Sequence, residues 1–284
     1  MAQRIGEEVA RRHGMTALPV DPFLIAAAEG IRVQPLPADE SGVSGVFLMM
    51  GTEAAILYRA SPGNPGFERF SVAHELGHYF LEGHPQMILS QGGRHSSNAG
   101  FKGRKSALEV EADQFAAALL MPAGPVRALL AELPVGLDAI LALRDRAAVS
   151  IRAAAIACAR HADRPVAVIV SHGDQVDYAF LSPGFRRLGR LPYPRKGQPL
   201  PATVTAGFNA DPSAIGLGHR AVGTCRLCDW FDGARALDLD EEIIGLGRSG
   251  RTLTVLSSED LAREDEDGSE DDARSDRPWQ PRFR

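Results

Sequence analysis

The sequence has few cysteines, 3 in 284 residues. So small and odd a count supplies no disulfide framework, which excludes a cystine-knit secreted scaffold. Aromatic residues make up only 6% of the chain, so the core is expected to be aliphatic. No run reaches the roughly eighteen apolar residues that a membrane-spanning helix needs. The first residues, Met1-Ala2-Gln3-Arg4-Ile5-Gly6-Glu7-Glu8, are charged and have no apolar signal-peptide core. These absences predict a cytoplasmic protein with no membrane partner. A strong field of one charge sign is missing too. The net charge is −5, but residues 259–277 alone hold ten acids and three bases. The remainder is close to neutral and gives no reason to expect direct nucleic-acid contact.

Hydrophobic residues make up 44% of the chain, enough for a folded core. Within it, Phe70-Ser71-Val72-Ala73-His74-Glu75-Leu76-Gly77-His78 carries the order His-Glu-x-x-His. Asn64-Pro65 is a helix start, and Phe67, Phe70, Ala73, Gly77 and Phe80 recur at helical steps. His74 and His78 then lie one turn apart on one face and can take two corners of one metal site. Glu75 lies one residue round the helix, placed to take a proton from a water on the metal. Gly77, costly inside a helix, predicts close approach by another backbone, by metal or by substrate.

A second helix is predicted from Ser106 to Leu120, ended by Met121-Pro122. Its Glu109 and Asp113 share a face. A catalytic zinc usually takes three protein ligands, so Glu109 can complete a His₂Glu set, with Glu111 the second choice. Asp113 can orient a ligand histidine through its outer nitrogen. This donor set favours zinc and permits manganese.

These blocks resemble the ImmA/IrrE family of metallopeptidases. The match lies in Arg69 to His78 and in Glu109-x-Glu111-Ala112-Asp113-x-Phe115-Ala116-x-x-Leu119-Leu120-Met121-Pro122. The segments from Val20-Asp21-Pro22 to Val33 and around Val149-Ser150 are similar as well. Asp113 stands where the family often has Asn. The resemblance implies a zincin-like fold with His74, His78 and Glu109 as ligands. It also implies a metal-dependent endopeptidase whose protein substrate is a helix-turn-helix transcriptional repressor, in mobile-element or stress-response control. The competing reading is a regulatory or toxin–antitoxin-type binding protein in which the metal site is only structural.

The fold class expected is α+β. Residues 1–162 form a zincin-like helical metallopeptidase domain with a small N-terminal sheet. Residues 163–258 form a β-rich domain that senses a ligand or recognises substrate, and 259–284 a disordered acidic tail. Strands are expected near residues 31–33, 45–49, 54–58, 166–170, 176–181, 203–205, 228–231, 242–244 and 252–256. Residues 89–105, rich in Gly and Ser, read as a mobile loop flanked by His84 and His95, each most simply a surface histidine. Tyr79, Tyr178, His84 and His95 are candidate oxyanion partners. Cys225-x-x-Cys228 lacks a second ligand pair and reads as two ordinary small residues.

Overall fold

The computed structural model describes residues 1–37, 42–61, 63–98, 106–189 and 191–258. The tail 259–284 and the stretch 99–105 lie outside the described residues. Two sheets and the helices around them make an α+β fold.

Helix α1 (Ala2–Arg12) and helix α2 (Pro22–Ala28) come first. Asp21 caps α2, accepting the Phe23 N–H at 2.9 Å, and Pro22 fits the first turn. Strands β1 (Arg32–Pro35), β2 (Val43–Met50) and β3 (Glu53–Tyr58) follow. Helix α3 (Pro65–Phe80) starts at the Asn64 cap, whose side chain accepts the Phe67 N–H. After it come α4 (His84–Ser90), β4 (Arg94–Asn98) and α5 (Ala107–Leu120). The first sheet has the order β1-β3-β2-β4, with only the β1–β3 pair parallel. Helix α3 packs on this sheet and on α5. A Cβ on Gly77 of α3 would lie 3.1 Å from the Ala112 Cα of α5. Gly77 is thus the point where the two metal-motif helices touch, and the close neighbour the sequence called for is backbone.

Helices α6 (Ala123–Ala131), α7 (Leu137–Ala147) and α8 (Ile151–His161) complete the helical part. Strands β5 (Val166–His172) and β6 (Gln175–Leu181) lead through α9 (Pro183–Arg187), α10 (Val204–Asn209) and α11 (Pro212–Leu217) to β7 (Arg220–Arg226). Helix α12 (Leu227–Trp230), β8 (Asp238–Gly245) and β9 (Arg251–Ser257) end the described chain. The second sheet is antiparallel, in the order β6-β5-β9-β8-β7.

Strand β5 shows why its sequence is apolar without alternation. Successive side chains face opposite sides of a sheet. Val166, Val168 and Val170 enter the main core with the helices. Ala167 and Ile169 enter a second core with Phe185, Trp230 and Phe231. The main core runs without a break from α1 to β9.

Three local expectations are corrected. Residues 203–205 open helix α10 rather than a strand, because Glu241 of β8 gathers the first N–H groups of the turn. Its carboxylate accepts the Thr205 N–H at 3.1 Å and the Thr203 and Thr205 hydroxyls at 2.8 and 2.6 Å. Residues 228–231 belong to the single turn α12 and its cap, closed by Asp229 accepting the Arg226 N–H at 2.7 Å. The stretch 89–98 is ordered structure: the end of α4, a turn with Gly92 and Gly93 at φ 97° and 77°, and strand β4. A row of Arg, His, Ser and Asn has little strand preference of its own, and the β2 ladder imposes it.

No single helix among the described residues is long and apolar enough to cross a membrane. The bent pair α5–α6 passes the length test, but Phe115, Leu119, Leu120 and Val126 are buried in the main core.

Candidate metal centre

His74 and His78 are buried on α3, 4% and 0% exposed. Glu109 approaches them from the first turn of α5, where the Ser106 hydroxyl accepts its N–H and a negative charge suits the helix dipole. His74 Nε2 and His78 Nε2 are 3.3 Å apart. Glu109 Oε2 is 3.5 Å from the first and Oε1 is 3.3 Å from the second. The three donors form a cluster able to hold a metal ion, and no second cluster of this kind occurs among the described residues. A tetrahedral zinc with ligand bonds of about 2.0–2.2 Å separates its ligands by about 3.3–3.6 Å. The observed spacings fall in that interval, so the residues present fit the metal.

The outer nitrogens are also arranged. His74 Nδ1 lies 3.0 Å from Asp113 Oδ1. His78 Nδ1 lies 3.1 Å from His84 Nδ1, and His84 Nε2 lies 3.1 Å from Glu111 Oε2. Each run ends on a carboxylate that can only accept. The proton pattern that satisfies both runs puts N–H on Nδ1 of His74 and of His78. Once His74 gives up its second proton to a bound metal, both Nε2 lone pairs would face the cluster. Glu75 is fully buried beside it, and neither carboxylate oxygen has a hydrogen-bond partner.

Residues 26–158 match the model of the IrrE N-terminal-like domain, a peptidase family. The match supports an ImmA/IrrE assignment for this segment. No curated protein matches the sequence. Among solved structures, a Mycobacterium tuberculosis transcriptional regulator is similar, with a TM-score of 0.54 and 16% identity over 93% of this chain and 77% of that one. At that identity the likeness is one of fold.

The centre holds residues that the linear motifs do not announce. Gly45 of β2 faces Glu75, and a Cβ there would collide with Glu75 Oε1. A glycine inside a strand is the only signal for this in the sequence. His95 Nε2, on β4, lies 2.7 Å from Glu109 Oε1. His84 is 1% exposed, so its expected surface placement is corrected: Gly83, at φ 85°, turns the chain so that α4 starts against α3. Glu111 is engaged by His84 and stays outside the donor cluster. Tyr79 packs on Phe47, and Tyr178 lies on β6; neither lines the cleft at the centre. Cys158 and Cys225 are buried free thiols, both pushed up to about 12 by burial.

The electrostatics are those of a metal-free cluster. Burial lowers the His74 pKa, but hydrogen bonds to Asp113 and Glu109 outweigh it and hold it raised, at about 10. Burial pushes His78 down to about 4. Burial opposes ionisation of Glu109, yet the three histidines hold it well below the usual carboxylate range. Burial pushes Glu75 up to about 7, against the pull of His74 and the nearby Ser97 hydroxyl.

Gly45→Ala is expected to displace the Glu75 carboxylate and lower any hydrolysis at this centre by tenfold or more, with zinc content unchanged. Steady-state kinetics beside metal analysis checks this. Gly77→Val is expected to push α5 from α3 and weaken zinc binding, by roughly tenfold or more. Competition against a chromogenic chelator reads that change.

Proposed function

We propose that the chain is a metal-dependent endopeptidase that cuts a peptide bond in a protein substrate, with zinc the favoured ion and manganese permitted. The observation that carries this is the His74–His78–Glu109 cluster with the unpartnered Glu75 carboxylate beside it. A divalent ion held by those three residues would polarise the scissile carbonyl and acidify the attacking water. Glu75 takes the proton of that water and returns it to the leaving amine. Asp113 and His84 orient the two ligand histidines, and His95 holds the Glu109 carboxylate.

Substrate reaches the centre through a cleft of about 470 Å³. Strand β4 is the edge of its sheet, and its Ser97 and Asn98 line that cleft. An extended peptide can add to such an edge through main-chain hydrogen bonds. The match to a peptidase family supports a protein substrate, and the resemblance of the two motif blocks to the ImmA/IrrE family points to a helix-turn-helix repressor. The test incubates the zinc-loaded full chain with a purified small helix-turn-helix repressor, sought first among the products of adjacent genes. Cleavage that is lost with a chelator and in Glu75→Gln supports the reading. Stoichiometric binding without a cut, with metal in place, contradicts it and favours a regulatory binding protein.

Zinc binding is expected to be proton-linked. His74 holds its proton up to about pH 10 in the metal-free chain, so zinc must displace it at neutral pH. Affinity therefore falls as pH falls. Calorimetry in buffers of different ionisation enthalpy should show about one proton released per zinc near pH 7.5. A release of none would contradict this electrostatic account.

We propose further that residues 163–258 serve substrate recognition or ligand sensing beside the peptidase part.

A further inference from the structure

The cleft wall has two characters. Phe67, Phe70, Leu120, Met121, Val149 and Ile156 make one side apolar. At the metal end stand Glu109 and Asp113, already engaged by the histidines. Among the described residues lining the cleft, Arg152 alone carries a lysine or arginine charge. It sits in the first turn of α8, is exposed, and has no carboxylate ion-paired with it among the described residues. Tyr178 of β6 lies within reach of the Arg152 guanidinium, whose charge and hydrogen bond oppose the rise in pKa that burial gives the tyrosine hydroxyl. Helix α8 packs on β5 and β6, so the second sheet braces the element that presents this guanidinium.

A cation with no carboxylate partner, lining a cleft whose acids are already engaged by histidines, attracts an anionic side chain and repels a cationic one. We propose that Arg152 determines specificity, selecting peptides that carry an Asp or Glu close to the scissile bond together with an apolar residue for the Phe67–Phe70–Leu120 wall. This rests on the endopeptidase reading above. An arginine–carboxylate hydrogen bond at a half-solvated site gives about tenfold in kcat/KM.

The test digests an equimolar synthetic decapeptide library with the zinc-loaded full chain and reads the cut sites by mass spectrometry. Wild type is expected to enrich Asp and Glu about tenfold at one position near the cut. Arg152→Ala should flatten that position, and Arg152→Glu should invert it toward Lys and Arg while apolar selection persists. Zinc content and melting temperature show that each variant is folded; Arg152→Gln replaces any that is not. A charge-blind wild-type profile, or an acidic preference kept by Arg152→Glu, overturns the proposal and leaves the peptidase reading standing. No cleavage of any peptide by zinc-loaded wild type overturns both.

Discussion

Glu75→Gln lowers peptide hydrolysis by about 10³- to 10⁴-fold and leaves zinc content unchanged. The variant keeps size and shape and removes only the ability to take a proton. His74, His78 and Glu109 are untouched, so the metal stays. The same change should make the metal-free protein more stable. Glu75 is completely buried with neither oxygen hydrogen-bonded. Its folded pKa, about 7, lies above the ordinary carboxylate value. Ionisation of this group therefore costs stability, fully above about pH 7 and progressively less below it. That cost is on the order of 3 kcal/mol. Glutamine removes it, so the variant should melt higher than wild type at pH 8 and close to it at pH 5. Such a gain in stability on losing activity is the behaviour of a group kept for chemistry. Retained hydrolysis with zinc bound, or a lower melting point at pH 8, would count against the assigned role.

Glu241→Ala has the second large effect, on stability alone. Glu241 is fully buried, and its oxygens accept from the Thr203 hydroxyl, the Val204 N–H and both donors of Thr205. Removing them strands several buried donors at once and uncaps α10, a loss of roughly 3–5 kcal/mol. Thermal unfolding should fall by about 6–12 °C. The neighbouring Glu242 points to the opposite face of β8 and accepts the Leu137 N–H at the start of α7 at 2.8 Å. Two adjacent glutamates thus tie a helix to each face of the second sheet. Because Glu241 lies far in sequence from the metal motif, zinc content in the folded variant should stay at the wild-type level. A melting shift under 2 °C would contradict this account of the carboxylate.

Much of this was legible in the sequence where the governing contacts are local. Asn64-Pro65 and Ser106 start the two helices by capping, and i,i+4 spacing sets His74 over His78. The third donor, Glu109, comes from another helix, but its own turn carries the signal: an acid pair one helical turn apart, thirty residues past the histidines. What stayed hidden depends on distant partners. The threonines at 203 and 205 favour strands by propensity, and only Glu241, more than thirty residues on, makes them a helix start. Strand β4 exists because β2 offers it a ladder. Gly45 has no visible role until α3 lies across the sheet and brings Glu75 to it. His84 shows no sign of burial until Gly83 turns it against His78. The polar relay from His78 through His84 to Glu111 spans three elements, and no spacing rule connects them.

The central claim is that one metal ion sits between His74, His78 and Glu109. Zinc-edge X-ray absorption of the zinc-loaded full chain tests it most directly. The account predicts one zinc per chain, a first shell of nitrogen and oxygen at about 2.0–2.2 Å with the multiple-scattering signature of two imidazoles, and loss of the site in Glu109→Ala. A sulfur shell at about 2.3 Å, which would place the ion at Cys225 and Cys228, or an unchanged spectrum in Glu109→Ala, would contradict it.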